Sequence, residues 1–289
     1  MEAQKSSIKR KIKIPIVFRF LRWGFPRLEK ISPSMARTLA THLFFRPVKF
    51  PYPLPEKEAL KKAQSKFIRV DRKKVKTYFW GEGKPVILVH GWSGRATQFW
   101  KFIDVFNKNG FQVISFDAPA HGYSPGSSTS ELEFADVIIK LTELYNPHVV
   151  IGHSLGGVAS LLAITEGAKI DNILMISSPS IGADIIAEFL KKLNASPSSG
   201  LGIEHFVKKI TDKPFEDFLS LSLIKKANGI NLHLVHDIDD SEVPIAHAEA
   251  LCKAYPAATL HKTKGLGHTR ILRNEEVIEK CLNFAMYNN

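Results

Sequence analysis

From about residue 66 onward, short apolar runs alternate with stretches whose apolar positions recur at helical spacing. The apolar runs are Val86–His90, Val113–Asp117, Val149–Gly152, Ile173–Ser177, Leu232–His236 and Thr259–His261. Continuous Val, Ile and Leu runs are the signature of strands covered on both faces. Ahead of them, SKFIRV and VKTYFW flank the polar DRKK and predict a two-stranded hairpin. Between the runs, Phe99, Phe102, Ile103 and Phe106 fall at i, i+3, i+4 and i+7, and Gly110 can end that helix. Ser130 with Glu133 reads as a capping box before Phe134, Val137, Ile138 and Leu141. Asn274 reads as the cap of a last helix with Val277, Ile278, Cys281 and Leu282 on one face. A β-α alternation of this kind predicts a mostly parallel, doubly wound sheet of about eight strands, with reactive groups at the strands' carboxyl ends.

Two stretches break the rhythm. Residues 182–228 are too long for one crossover helix and hold Phe189, Leu190, Phe206, Phe215 and Phe218 around the loop Ser196-Pro197-Ser198-Ser199-Gly200. They read as a helical cap inserted in a catalytic domain of residues 65–289. Residues 1–64 read as a basic leader, with Pro15 and Pro26 limiting any helix to the part between them. Its RPVKFPYPLP run at 46–55 carries four prolines and reads as an extended linker.

The strongest chemical signal is Gly152-His153-Ser154-Leu155-Gly156-Gly157, directly after the run ending at Ile151. This is G-x-S-x-G between a strand and a helix. The spacing has a steric reason. A serine must sit on a tight turn to project its hydroxyl above the sheet, and glycines at 152 and 156 let backbone approach without a Cβ clash. The alternative, a glycine-rich turn with an incidental serine, does not explain the companion motifs. His90-Gly91-Trp92 follows the run Val86–Val89. The loop at that point and the residue after the serine supply oxyanion-stabilising amides in such an architecture, which makes Trp92 and Leu155 the candidates. Trp92 as mere packing is compatible with that role, because the amide acts whatever the side chain does.

HGW at 90–92, DAPAHGYS at 117–124, GHSLGG at 152–157, DxxVP at 240–244 and GLGH at 265–268 together resemble the α/β-hydrolase fold superfamily. More narrowly they resemble its serine esterase, lipase-like and peptidase members with a helical cap. The resemblance covers about residues 66–289 and departs at Ala120, where such proteins usually have glycine. It implies Ser154 as nucleophile, His268 as general base and Asp240, three residues before Val243-Pro244, as the acid. Asp237, nearer the strand end, stays open as the alternative acid. His90, Gly91, His153, Gly152 and Gly156 are expected to support the site. His121, His233 and His236 are read as orienting or packing residues, since none has companions at metal-ligand spacing.

Charge changes the picture of the leader only. Residues 1–80 have a balance of +16, whereas residues 81–289 balance at −4. A basic segment on a neutral body points to an anionic partner. Two readings of residues 8–30 stand side by side: a basic amphipathic element in peripheral contact with an anionic membrane, or apolar residues packed on the body or the cap. No nucleic-acid motif, phosphate loop or dinucleotide fingerprint accompanies the charge, so no nucleic-acid partner is expected. Two cysteines, Cys252 and Cys281, without CxxC spacing suit a reducing compartment and are read as helix residues facing a core. No apolar h-region follows the basic start and no run of 18 apolar residues occurs, so the expected location is cytoplasmic, peripheral at the inner membrane surface if the leader binds lipid.

The expected activity is hydrolysis of a carboxylic ester or related acyl bond in a small molecule, through an acyl-enzyme on Ser154, with no metal and no cofactor. The fold also hosts aminopeptidase, thioesterase and haloperoxidase chemistry on such a triad, and a non-catalytic binding protein is the reading from another class.

Overall fold

The computed structural model describes residues 16–287, and side chains from residue 19 onward. Strands β1 (Gln64–Val70), β2 (Lys73–Trp80), β3 (Lys84–Val89), β4 (Phe111–Asp117), β5 (Val149–His153), β6 (Asn172–Ile176), β7 (Asn231–Asp237) and β8 (Thr259–Thr263) form one sheet in the order β1-β2-β4-β3-β5-β6-β7-β8. The β1–β2 hairpin is antiparallel and turns at Asp71, whose φ of 49° fits a two-residue hairpin loop. β2 is antiparallel to β4, and every pair from β4 to β8 is parallel. This is the α/β-hydrolase fold expected from the sequence.

Helices cover both faces. One core joins β3, β4, β5 and β7 side chains to α5 (Glu131–Tyr145), α6 (Leu155–Thr165) and α10 (Ala246–Ala254). The other joins the opposite side chains to α4 (Trp100–Lys108) and α12 (Glu275–Tyr287), where Phe99, Phe102 and Phe106 are fully buried. Alternate residues of one strand split between the two cores: Ile87 and Val89 go one way, Val86 and Leu88 the other. Asn274 caps α12, its Oδ1 accepting from Val277 N at 3.0 Å. Cys281 is buried in α12 and Cys252 is half-buried in α10.

Because the strands run parallel, their carboxyl ends share one edge of the sheet. Val89 pairs with Gly152, His153 with Ile176, and Asp237 with Thr263. The segments after β3, β5, β7 and β8 therefore leave from the same side, and those are the segments that contain residues 90–92, 154–155, 240 and 268.

Three local expectations are corrected. Ser130 stands before α5 but makes no capping bond; Thr129 Oγ1 donates to Glu133 Oε2 at 2.7 Å instead, which occupies the carboxylate a capping box would need. The proline-rich run is extended only to Pro53, after which Leu54 and Pro55 open α3 (Leu54–Lys62). Proline there is tolerated because the first-turn N–H groups have no helical partner. The third correction concerns Pro26, which does not stop a helix: α1 runs Ile16–Ile31 straight through it and α2 follows at Pro33–Phe44. Pro26 deprives the Arg22 carbonyl of its N–H donor, and Asn194 Nδ2 donates to that carbonyl at 3.5 Å.

Residues 182–228 hold α7 (Gly182–Leu193), α8 (Leu201–Thr211), α9 (Ser220–Leu223) and two 3₁₀ turns. α1 packs on α7 and α2 on α8. Phe25, Ala36, Ala40 and Leu193 form a small separate core between them. Glu29 fixes the contact, with Oε1 accepting from Ser196 N, Ser196 Oγ and Ser199 Oγ. Of the basic stretch 8–30, residues 8–15 lie outside the described residues; the Phe25 side of the remainder packs on the insertion. No described helix is long and apolar enough to cross a membrane.

Candidate active site

Ser154 begins the turn between β5 and α6 with φ 53° and ψ −124°. A non-glycine residue there costs on the order of 1–3 kcal/mol, which the surroundings must over-determine. They do so by close packing. A Cβ at Gly152 would run into the backbone of Gly156 and Gly157, and one at Gly156 into the carbonyls of Val89 and His90. Ser154 N also donates to Ile176 O at 2.9 Å. The strained turn thus lies directly over the end of β3. Gly91 abuts it so tightly that an added Cβ would be 2.9 Å from Ser154 Cβ.

The amides of Trp92 and Leu155 donate to no acceptor among the described residues. The Trp92 amide owes its direction to His90. His90 Nδ1 donates to Gly91 O at 2.7 Å, and Nε2 accepts from Ala118 N at 3.0 Å. Gly94 N reinforces the hold on Gly91 O at 3.0 Å. In a planar trans peptide the carbonyl and the next N–H point opposite ways. Turning Gly91 O inward therefore turns the Trp92 N–H outward. The role needs a neutral ring, and burial holds the His90 pKa well below its ordinary value. His121 does the same one residue on: Nδ1 donates to Pro119 O and Nε2 accepts from Ser93 N at 2.9 Å, with burial lowering its pKa to about 4.

His268 sits in the short helix α11 (Gly267–Arg270). Its Nδ1 donates to Asp240 Oδ2 at 2.8 Å, which leaves Nε2 with its lone pair, bonded to nothing among the described residues. Asp240 is buried and Oδ1 accepts from Glu242 N and Val243 N at 2.9 and 3.0 Å. Burial opposes its charge, but the bond from His268 and these two amides prevail and hold its pKa below the usual range. Asp237 is placed differently. Its oxygens accept from Asp239 N, Gly267 N, Leu266 N and Thr263 Oγ1, so it ties down the loop in front of His268 and does not touch the ring. Those amides and the hydroxyl outweigh burial and lower its pKa too.

His153 links the serine turn to the His268 loop. Nε2 donates to the His268 carbonyl at 2.9 Å, and the two rings lie 4.8 Å apart. Nδ1 accepts from Gln98 Nε2 at 3.2 Å. Burial first, then the neighbouring His268, lowers its pKa to about 3. Gln98 lies in the 3₁₀ turn Ala96–Phe99 and was not legible in any motif; no periodicity marks a side chain that reaches 55 residues along the chain. Asp117 was read only as part of DAPAHGYS. It accepts from Ala96 N, Tyr123 N and Tyr78 Oη, pinning the loops after β3 and β4 to each other. Ala120 has φ 63°, the left-handed region, where the resembling proteins' glycine would fit without strain. Ser154 Oγ makes no hydrogen bond among the described residues. Among them, too, no group of three or more His, Cys, Asp or Glu side chains could hold a metal ion.

Comparison with known proteins agrees with the architecture. Residues 84–196 match the family model described as alpha/beta hydrolase fold. A pimeloyl-[acyl-carrier protein] methyl ester esterase of Legionella pneumophila is 27% identical over 157 residues, covering 50% of this chain and 58% of that protein. A non-heme chloroperoxidase of Streptomyces lividans is 33% identical over 107 residues, covering 34% of this chain and 39% of that protein. The matched stretch thus spans 58% of the length of the first relative and 39% of the second. The Pyrococcus furiosus esterase Pf2001 superposes with a TM-score of 0.64 at 21% identity, covering 83% of this chain and 97% of that one. The chain has the α/β-hydrolase fold, and residues 84–196 match the family model of that fold.

Proposed function

We propose that the protein is a serine hydrolase that cleaves a carboxylic ester through an acyl-enzyme on Ser154. The observation that carries this reading is the Asp240–His268 bond at 2.8 Å on Nδ1, which turns Nε2 away from the carboxylate, with the ring 4.8 Å from that of His153, the residue before the serine. His268 Nε2 takes the Ser154 proton as Oγ attacks the acyl carbon. Asp240 stabilises the resulting imidazolium and keeps its charge throughout. The amides of Trp92 and Leu155 receive the negative oxygen of the tetrahedral intermediate. As the bond to the leaving oxygen breaks, His268 returns the proton to it. Water then attacks the acyl-enzyme, with His268 as base once more, and the acid leaves. A Ser154–His268 bond absent from the resting site is compatible with this scheme, since catalytic hydrogen bonds often tighten only with substrate bound.

The methyl ester esterase activity of the Legionella relative favours an ester over other acyl groups. The helical insertion at 182–228 serves as the cap in this reading. Its Phe- and Leu-rich composition favours an ester with an apolar acyl or alcohol part. A p-nitrophenyl ester series of increasing chain length tests the reading. Turnover by the wild-type chain and none by Ser154→Ala is expected; no turnover at any length would count against it. The chloroperoxidase relative motivates one competing chemistry on the same residues, and halogenation assays with hydrogen peroxide, a halide salt and an organic acid separate the two.

A further inference from the structure

α1 has two apolar sides, and only one of them is used. Phe25 packs on the helical insertion with Leu21 and Leu28 partly buried nearby. On the opposite side, Phe20, Trp23, Arg27 and Ile31 share one helix face at 3.6 residues per turn. That face is open: Phe20 is 67% exposed, Trp23 63% and Ile31 83%. Met35, just past the turn into α2, is exposed as well. The Arg27 guanidinium lies over the Trp23 ring at 4.0 Å. Arg19 and Lys30, both exposed, flank these groups, while Arg22 turns to the insertion and donates to Lys192 O at 3.3 Å. Among the described residues none of Arg19, Arg27 and Lys30 pairs with a carboxylate. The single acid of α1, Glu29, is turned the other way and taken up by Ser196 and Ser199.

We infer that this outward face of α1 is a docking surface for an anionic lipid bilayer. Large apolar side chains set among unpaired cations are what an interfacial helix presents to acyl chains and charged headgroups together. Tryptophan suits the headgroup level because its ring is apolar with one polar edge. The charge argues against the other occupants. A second copy of the chain in a two-fold contact would set Arg19, Arg27 and Lys30 against their own equivalents. The rest of this chain has its contact with α1 already, on the Phe25 side. Sequence ahead of α1 adds Lys5, Lys9, Arg10, Lys11 and Lys13 against Glu2 alone, so the charge bias extends beyond the helix. The inference is separate from the esterase reading, and Ser154→Ala should bind lipid as the wild type does.

The test is co-sedimentation of the full chain with phosphatidylcholine vesicles and with phosphatidylcholine–phosphatidylglycerol vesicles. Partitioning should favour the anionic vesicles and fall as salt rises. The double variant Phe20→Ser, Trp23→Ser and the double variant Arg19→Glu, Arg27→Glu should each lose at least about tenfold in partitioning. All four positions are exposed, so both variants should melt where the wild type does. Equal partitioning into neutral and anionic vesicles, or unchanged binding by either double variant, overturns the inference. So does a wild-type dimer in sedimentation that the Phe20→Ser, Trp23→Ser variant abolishes, which assigns the face to a second copy.

Discussion

His153 and His268 are joined by a side-chain-to-backbone bond, from His153 Nε2 to the His268 carbonyl at 2.9 Å. The residue before the serine thereby sets the position of the loop that presents the imidazole. The bond exists only while Nδ1 of His153 is the acceptor, and Gln98 Nε2 holds it in that state. Gln98 Oε1 also accepts, at 3.4 Å, from Arg95 N in the loop after β3. One amide side chain thus registers the loop after β3, the serine turn and the His268 loop against each other.

Gln98 is accordingly a positioning residue. Gln98→Ala should lower kcat about fivefold, the equivalent of one net hydrogen bond of about 1 kcal/mol, with KM little changed. Gln98→Glu should not restore the rate, because a carboxylate cannot donate to Nδ1. Steady-state kinetics on a p-nitrophenyl ester check both, and a pure KM effect would assign Gln98 to substrate contact instead.

The two acids should separate cleanly. Asp240→Asn replaces the acceptor of His268 Nδ1 by an amide and should cost on the order of 10⁴ in kcat, with the fold intact. Asp237→Asn should act mainly on stability, because an amide oxygen replaces only one of two oxygens that hold residues 263–267. Thermal melts beside kcat for both variants provide the check. A large kcat loss at normal stability in Asp237→Asn would contradict the assignment.

His90→Phe keeps an aromatic ring in the buried pocket but removes the donor to Gly91 O and the acceptor for Ala118 N. With Gly91 O released, the Trp92 amide loses its enforced direction. The expected cost is about 10²-fold in kcat, the scale of one oxyanion donor. Rates measured together with the melting temperature distinguish this from unfolding.

Acid should destabilise the protein through its buried histidines. In the unfolded chain His90, His121 and His153 take up protons near their ordinary value of about 6.5, whereas the folded chain holds them neutral, His121 to about 4 and His153 to about 3. Between those values the unfolded state binds more protons, so stability rises with pH and is lost as pH falls from about 6.5 towards 3. Melting temperature against pH should slope down from about 6.5. His121→Gln should flatten that slope by removing one of the buried histidines that set it, which also include His233, His236 and His247, and an identical slope in the variant would contradict the assignment.

The centre of the sheet was legible because β3 to β7 each contain a short apolar run that is buried as one. GHSLGG was legible because the strained turn needs glycine on both sides of the serine, a constraint written in adjacent residues. The acid was less so: Asp237 and Asp240 both follow β7, and only the folded loop shows which carboxylate meets the ring. Pro26 misled because the carbonyl it orphans is rescued by Asn194, 172 residues away. Ser130 misled for a related reason, since a neighbouring hydroxyl captured the Glu133 carboxylate. Gln98 had no sequence signal, because its bond to His153 is fixed by tertiary approach alone.

The central claim is that Ser154 is a nucleophile activated by His268. Labelling of the full chain with a fluorophosphonate, followed by mass mapping of the adduct, tests it most directly. The expected result is one adduct, on Ser154, lost in Ser154→Ala and strongly slowed in His268→Ala. A folded wild-type chain that stays unlabelled, or one labelled equally well without His268, would contradict it.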